Sequence, residues 1–105
     1  MGGRGGGGRT EISSPGAVRD DTRIVDLVRQ LMPISQDWVS LARLRDNLEG
    51  MSRERQDAAI GRLLREGLIS LIPEQEPRMI RARERRAAYR HHGVNFHLIR
   101  VRRSS

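Results

Sequence analysis

Arginine is the residue type with the most chemistry to offer in this sequence. It supplies all 20 basic side chains, against 13 Asp and Glu, for a formal charge of +7. A guanidinium stays charged at any ordinary pH and presents a planar fork of donors. It therefore meets phosphate oxygens, or the O6/N7 edge of guanine, with paired hydrogen bonds. The absence of lysine removes Schiff-base chemistry and any phosphate loop of the Gly-x-x-x-x-Gly-Lys type. The absence of cysteine removes thiol nucleophiles, thiolate metal sites and disulfides. No serine sits in a nucleophile elbow, and the carboxylates are dispersed among basic neighbours. An enzyme is not expected, nor a cofactor.

The three histidines, His91, His92 and His97, do not form a metal signature. The adjacent pair diverges on a helix or a strand, and no cysteine accompanies them. No metal is expected, and His97 reads as a packing or hydrogen-bonding residue. Trp38, Tyr89 and Phe96 are too few for a base-stacking platform. Trp38 and Phe96 read as core anchors, and Tyr89 as a residue that packs its segment down or touches a phosphate.

The arginines are densest in residues 73–94. Arg78, Arg81, Arg83, Arg85, Arg86 and Arg90 stand there with His91 and His92, against Glu74, Glu76 and Glu84. Such a segment suits phosphates or a narrow minor groove. The alternative is a solvated helical insert whose charge keeps it in solution. A sequence pI near 11.5 fits a polyanionic partner, of which nucleic acid is the commonest.

A chain of 105 residues allows one domain. No apolar run approaches the roughly 20 residues that span a bilayer, and no hydrophobic signal region opens the chain. A cytoplasmic protein without a membrane partner is the expectation. Residues 1–19 hold a glycine cluster interrupted by Arg4 and Arg9, then Ser13-Ser14-Pro15, and read as a disordered leader. Order is expected over residues 20–101, with a loose tail at 102–105. Asp20-Asp21-Thr22 supplies caps for a first helix carrying Ile24, Leu27, Val28 and Leu31, which Pro33 stops. Trp38 and Val39 favour a short strand. Ser40 caps a second helix, with Leu41, Leu44 and Leu48 inward and Gly50 at its end. Ser52 caps a third, with Gln56, Ile60, Leu63 and Leu64 inward and Gly67 at its end. Residues 68–72 and 95–101 read as strands. The 73–94 connection is expected to contain a short helix ending near Gly93.

This order resembles a winged helix-turn-helix domain, an α+β fold of three helices and a small antiparallel β-wing. Here the wing connection is enlarged and partly helical. The resemblance rests on Ser40-Leu41-Ala42-Arg43-Leu44, the Gly50-Met51-Ser52 turn and Leu63-Leu64-Arg65-Glu66-Gly67-Leu68-Ile69. The last stretch is similar to the end of the recognition helix in bacterial winged-helix regulators, MarR-type ones included. The resemblance implies that the third helix enters a major groove of double-stranded DNA while the wing lies on the backbone. Counted from its inward stripe, that helix turns Glu54, Arg55, Ala58, Gly61, Arg62 and Arg65 outward. By the resemblance, Ser52, Arg53, Arg55 and Arg62 are the DNA contacts. Arg55 is placed to read guanine, with Ser52 and Arg53 on phosphate. The wing adds Arg78, Arg81, Arg83, Arg85, Arg86 and Arg90.

The function expected is therefore a nucleoid-associated, DNA-binding transcription regulator, with a homodimer possible. Two alternatives stand beside it: an architectural DNA-binding protein without sequence preference, and a winged-helix adaptor that binds protein instead. Glu54, Asp57 and Ala58 on the third helix favour the adaptor.

Overall fold

The computed structural model describes residues 15–32 and 38–102. The expectations for residues 1–14, for Pro33 and for residues 103–105 lie outside that range. Helix α1 spans Pro15–Leu31 and buries Ile24 and Val28 completely. It begins at proline, whose missing N–H is no loss in a first turn. Residues 15–19 are thus helical and not part of a disordered leader. Asp20 and Asp21 lie beyond the first turn and do not cap the helix.

Strand β1, Val39–Ser40, leads straight into α2, Leu41–Asp46. The Ser40 hydroxyl accepts from the Arg43 N–H at 3.0 Å, as an N-cap should. Helix α3 spans Arg53–Arg65, capped by Ser52, whose hydroxyl accepts from the Arg55 N–H at 3.2 Å. It ends in a Schellman motif. Leu68 N–H reaches Leu63 O at 3.0 Å and Gly67 N–H reaches Leu64 O at 3.1 Å. Gly67 takes φ = +75°, a conformation that other residues adopt at a cost.

Strand β2 is Ile69–Ile72. The connection that follows holds a 3₁₀ turn at Pro77–Met79, helix α4 at Ala82–Ala87 and a hairpin of β3, Tyr89–His91, with β4, Val94–Phe96. Strand β5, Leu98–Val101, closes the fold. The insert helix therefore stops at Ala87, well short of Gly93. Gly93, at φ = +78°, follows His92, at φ = +51°, in the two-residue hairpin turn. The single strand expected over 95–101 is broken at His97. This buried residue donates its N–H to Ile72 O at 3.0 Å, and its O accepts from Leu41 N–H at 2.8 Å. Its ring Nδ1 accepts from the Glu74 N–H at 3.1 Å, so the ring proton belongs on Nε2.

The three-stranded antiparallel sheet has the order β1-β5-β2. Its register pairs Val39 with Ile99 on one side of β5, and Ile69 with Val101 and Ile72 with Leu98 on the other. Ile24, Val28, Leu41, Leu44, Ile60, Leu63, Ile69 and Ile99 form the centre of the core between helices and sheet. Each contributes about 2 kcal/mol by leaving water. Trp38 and Phe96 are not among these anchors, since both remain partly exposed. Trp38 instead lies under the Arg100 guanidinium, whose Cζ is 4.7 Å from the ring centroid. Ala87 and Tyr89 carry the insert onto the core. No helix among the described residues is long and apolar enough to cross a membrane.

Candidate nucleic-acid interface

The side of α3 opposite the core is bordered by two other elements. α1 packs along one edge and the insert along the other. Glu54, Ala58 and Arg65 remain exposed between them. Gly61, expected to face outward, is buried. The Tyr89 hydroxyl lies 3.0 Å from the position a Cβ on Gly61 would take.

Each of the three α3 arginines expected at DNA has protein partners. Arg53 donates from Nη1 to Arg86 O at 2.7 Å and from Nη2 to Ala88 O at 2.9 Å, with Asp57 at 3.4 Å from its Nε. Those carbonyls belong to the C-terminal end of α4, where a cation is favoured. Arg55 donates from Nε and Nη2 to the two carboxylate oxygens of Asp20, at 3.0 and 2.6 Å, and from Nη1 to Gly50 O. Arg62 holds Asp21 in the same forked manner, Nη2 to Oδ1 at 2.8 Å and Nε to Oδ1 and Oδ2 at 3.1 and 3.2 Å. The hydrogen bond to Asp20 raises the Arg55 pKa above its ordinary value, and that to Asp21 does the same for Arg62. The Arg55 hydrogen bond in turn holds the Asp20 carboxyl below the usual range. Ser52 spends its hydroxyl on the cap.

Arg45 was not a sequence-level candidate, yet it organises this region. Its side chain is only 9% exposed. It donates from Nε to Ala87 O at 2.7 Å, from Nη1 to Gln56 Oε1 at 2.9 Å and from Nη2 to Asp57 Oδ1 at 2.8 Å. Burial holds its pKa below the ordinary value, and the Asp57 bond offsets only part of that. Gln56 completes the network by donating to Met51 O at 2.8 Å. The available signal was its position, four residues after Leu41 and beside Leu44, on the margin of the apolar stripe.

The arginines of the insert are all exposed. Arg83 pairs with Asp46 of α2, Arg78 with Glu76 at 3.4 Å, and Arg90 bonds Asn95 Oδ1 at 3.3 Å. Arg85 donates to Ile80 O at 2.9 Å. Arg81 and Arg86 are in no ion pair among the described residues. Exposed pairs of this kind hold their partners weakly, by about 0–1 kcal/mol. At the hairpin, Tyr89 and His91 stack with ring centroids 6.1 Å apart, and His92 meets His91 edge-on at 4.0 Å.

Charge is divided unevenly. Residues 15–72 carry nine arginines and nine carboxylates, whereas residues 73–105 carry nine arginines and three carboxylates. Nearly all the excess positive charge therefore lies in the insert and beyond it.

No protein-family model matches the chain, and neither a curated protein nor a solved structure is significantly similar to it.

Proposed function

We propose that this chain is a DNA-binding module of the winged helix-turn-helix kind, holding the duplex backbone chiefly through the insert at residues 73–97. The wiring supports the fold reading. A short strand precedes the helical pair α2–α3, and the two strands bracketing the insert join it in a β1-β5-β2 sheet. The observation that carries the functional reading is the charge division. The helical half is neutral in sum and Arg53, Arg55 and Arg62 of α3 are tied to protein groups, while the insert, with six arginines against three carboxylates, presents exposed arginines in weak pairs or, for Arg81 and Arg86, in no ion pair among the described residues. Phosphate oxygens compete readily with such partners.

Binding of this kind is directed at phosphate and selects weakly among sequences. The exposed strip of α3, Glu54, Ala58 and Arg65, has little with which to read base edges. That strip also favours a second reading, a protein-binding adaptor, because its carboxylate repels phosphate.

The test is fluorescence anisotropy with a random duplex and with pooled genomic fragments across a salt series. The expected result is a steep loss of affinity with salt and similar affinities for all fragments. Replacing Arg81, Arg86 and Arg90 by glutamine should flatten the log–log salt slope by about 2.7, from about 0.9 per phosphate contact. A few fragments held far more tightly would favour a sequence-specific regulator. No binding at low salt overturns the proposal and leaves the adaptor.

A further inference from the structure

Two carboxylates of α1 occupy two arginines of α3 in the way phosphates would. Arg55 and Arg62 are seven residues apart, nearly two turns, and so lie on one side of the helix about 10 Å apart along its axis. Each presents its fork to a carboxylate with two oxygens. Asp20 fills the first with bonds of 2.6 and 3.0 Å, and Asp21 fills the second with bonds of 2.8, 3.1 and 3.2 Å. Fork-to-anion geometry is the same whether the two oxygens belong to a carboxylate or to a phosphodiester.

We infer that Asp20 and Asp21 are internal phosphate surrogates, which keep Arg55 and Arg62 from a nucleic-acid backbone until that backbone displaces them. The inference rests on the proposed DNA-binding function and adds its regulation. The two pairs differ in how readily they open. Arg55 is 53% exposed while its Asp20 is only 9% exposed, so a phosphate reaches the guanidinium from outside but leaves a buried carboxylate behind. Arg62 and Asp21 are 26% and 19% exposed, both at the margin of the surface. Displacement at Arg62 therefore strands less buried charge and comes first. Asp20 sits next to Asp21 on the same helix, so once Arg62 is taken a further movement of that part of α1 releases Arg55 as well. Binding then has two stages: the insert attaches through its exposed arginines, and the α3 pair engages when α1 gives way.

The test compares wild-type protein with D20N/D21N on a 20-base-pair duplex across a salt series. The carboxamides keep the shape and lose the charge. The double variant should bind about tenfold tighter, with a log–log salt slope steeper by about 1.8, the value for two added phosphate contacts. Replacing Arg55 and Arg62 by glutamine should abolish that gain. Unchanged affinity and slope in a folded D20N/D21N protein, as judged by circular dichroism, overturns the inference while leaving insert-led binding intact. If the variant does not fold, the side-chain ¹⁵Nε resonances of Arg55 and Arg62 in the wild-type protein decide the matter. They should move on adding duplex, that of Arg62 at the lower concentration, and resonances that stay fixed overturn the inference. If only the variant binds, the backbone does not displace the carboxylates, which overturns the displacement, and the insert loses its leading role. If neither protein binds, the function and its regulation fall together.

Discussion

The Tyr89 hydroxyl stands over Gly61 of α3, 3.0 Å from where a Cβ on that glycine would sit. A residue of the insert thus rests where the helix has no side chain. Glycine within a helix costs about 1 kcal/mol relative to alanine, and here the contact with Tyr89 offsets it. Substituents of increasing size should separate the two effects. Gly61→Ala should stay within about 1 kcal/mol of wild type, since helix propensity balances a displacement of a few tenths of an ångström. Gly61→Leu should expel Tyr89 and destabilise by about 2–3 kcal/mol. Urea denaturation measures both. A Leu variant as stable as wild type would show that the insert is not seated on α3.

Arg45 should prove the most sensitive charged residue. Arg45→Met preserves much of the stem but takes the Arg45 donors from the Ala87 carbonyl and Gln56 Oε1 and leaves Asp57 with only the longer bond from Arg53. The expected loss is about 2–3 kcal/mol. Arg45→Lys should recover less than half of it, because one ammonium cannot span three acceptors. Hydrogen exchange should show α4 losing protection before α2 does.

Acid should weaken the α1–α3 contact. The hydrogen bond from Arg55 depresses the Asp20 pKa from its ordinary 3.8. A carboxyl depressed in the folded state contributes stability above its unfolded value, and that contribution disappears as pH falls through the folded value. Thermal unfolding from pH 7 down to pH 2 should show melting temperature dropping below about pH 4. The Asp20→Asn variant should be less stable at neutrality and show a shallower fall in acid. Parallel acid limbs for the two proteins would show that Asp20 does not contribute to the dependence.

Ser52 separates a cap from a DNA contact. If its hydroxyl works for the helix, Ser52→Ala should cost about 1 kcal/mol in the absence of DNA, and Ser52→Asp should restore most of it. A Ser52→Ala protein with unaltered stability but weakened duplex binding would return this serine to the phosphate backbone.

Local signals carried much of the fold. Ser40 and Ser52 cap because a hydroxyl before an apolar repeat satisfies the orphan N–H groups of a first turn, and Gly67 ends α3 because its φ is positive. The apolar spacing of Ile24 and Val28, and of Ile60 and Leu63, placed the core faces correctly. What was hidden depends on distant partners. Asp20 and Asp21 have the composition of a helix start, and nothing local reveals that their partners lie 35 and 41 residues away. Pro15 was itself a start signal, overshadowed by the glycine-rich stretch before it. In the insert, the arginine density concealed the hairpin at His92-Gly93. The candidate site was legible as a distribution of charge, but which arginines are engaged depends on tertiary pairing that periodicity does not contain.

Ile72 and Leu98 face one another across the last rung of the β2–β5 ladder. The whole of residues 73–97 therefore leaves the sheet and returns to it at a single point, with its two ends about 5 Å apart. A segment attached that way is a plug in a socket, because the sheet needs only that the chain come back. Its exposed stretches can vary without rebuilding the helices beneath, while Ala87, Tyr89 and His97 are held by the core. Besides the Tyr89 side chain over Gly61, that freedom is limited by Arg45 and Arg53, which grip the backbone carbonyls of Arg86, Ala87 and Ala88. A replacement must offer a helix end to those two hands and a side chain to fill the place above Gly61.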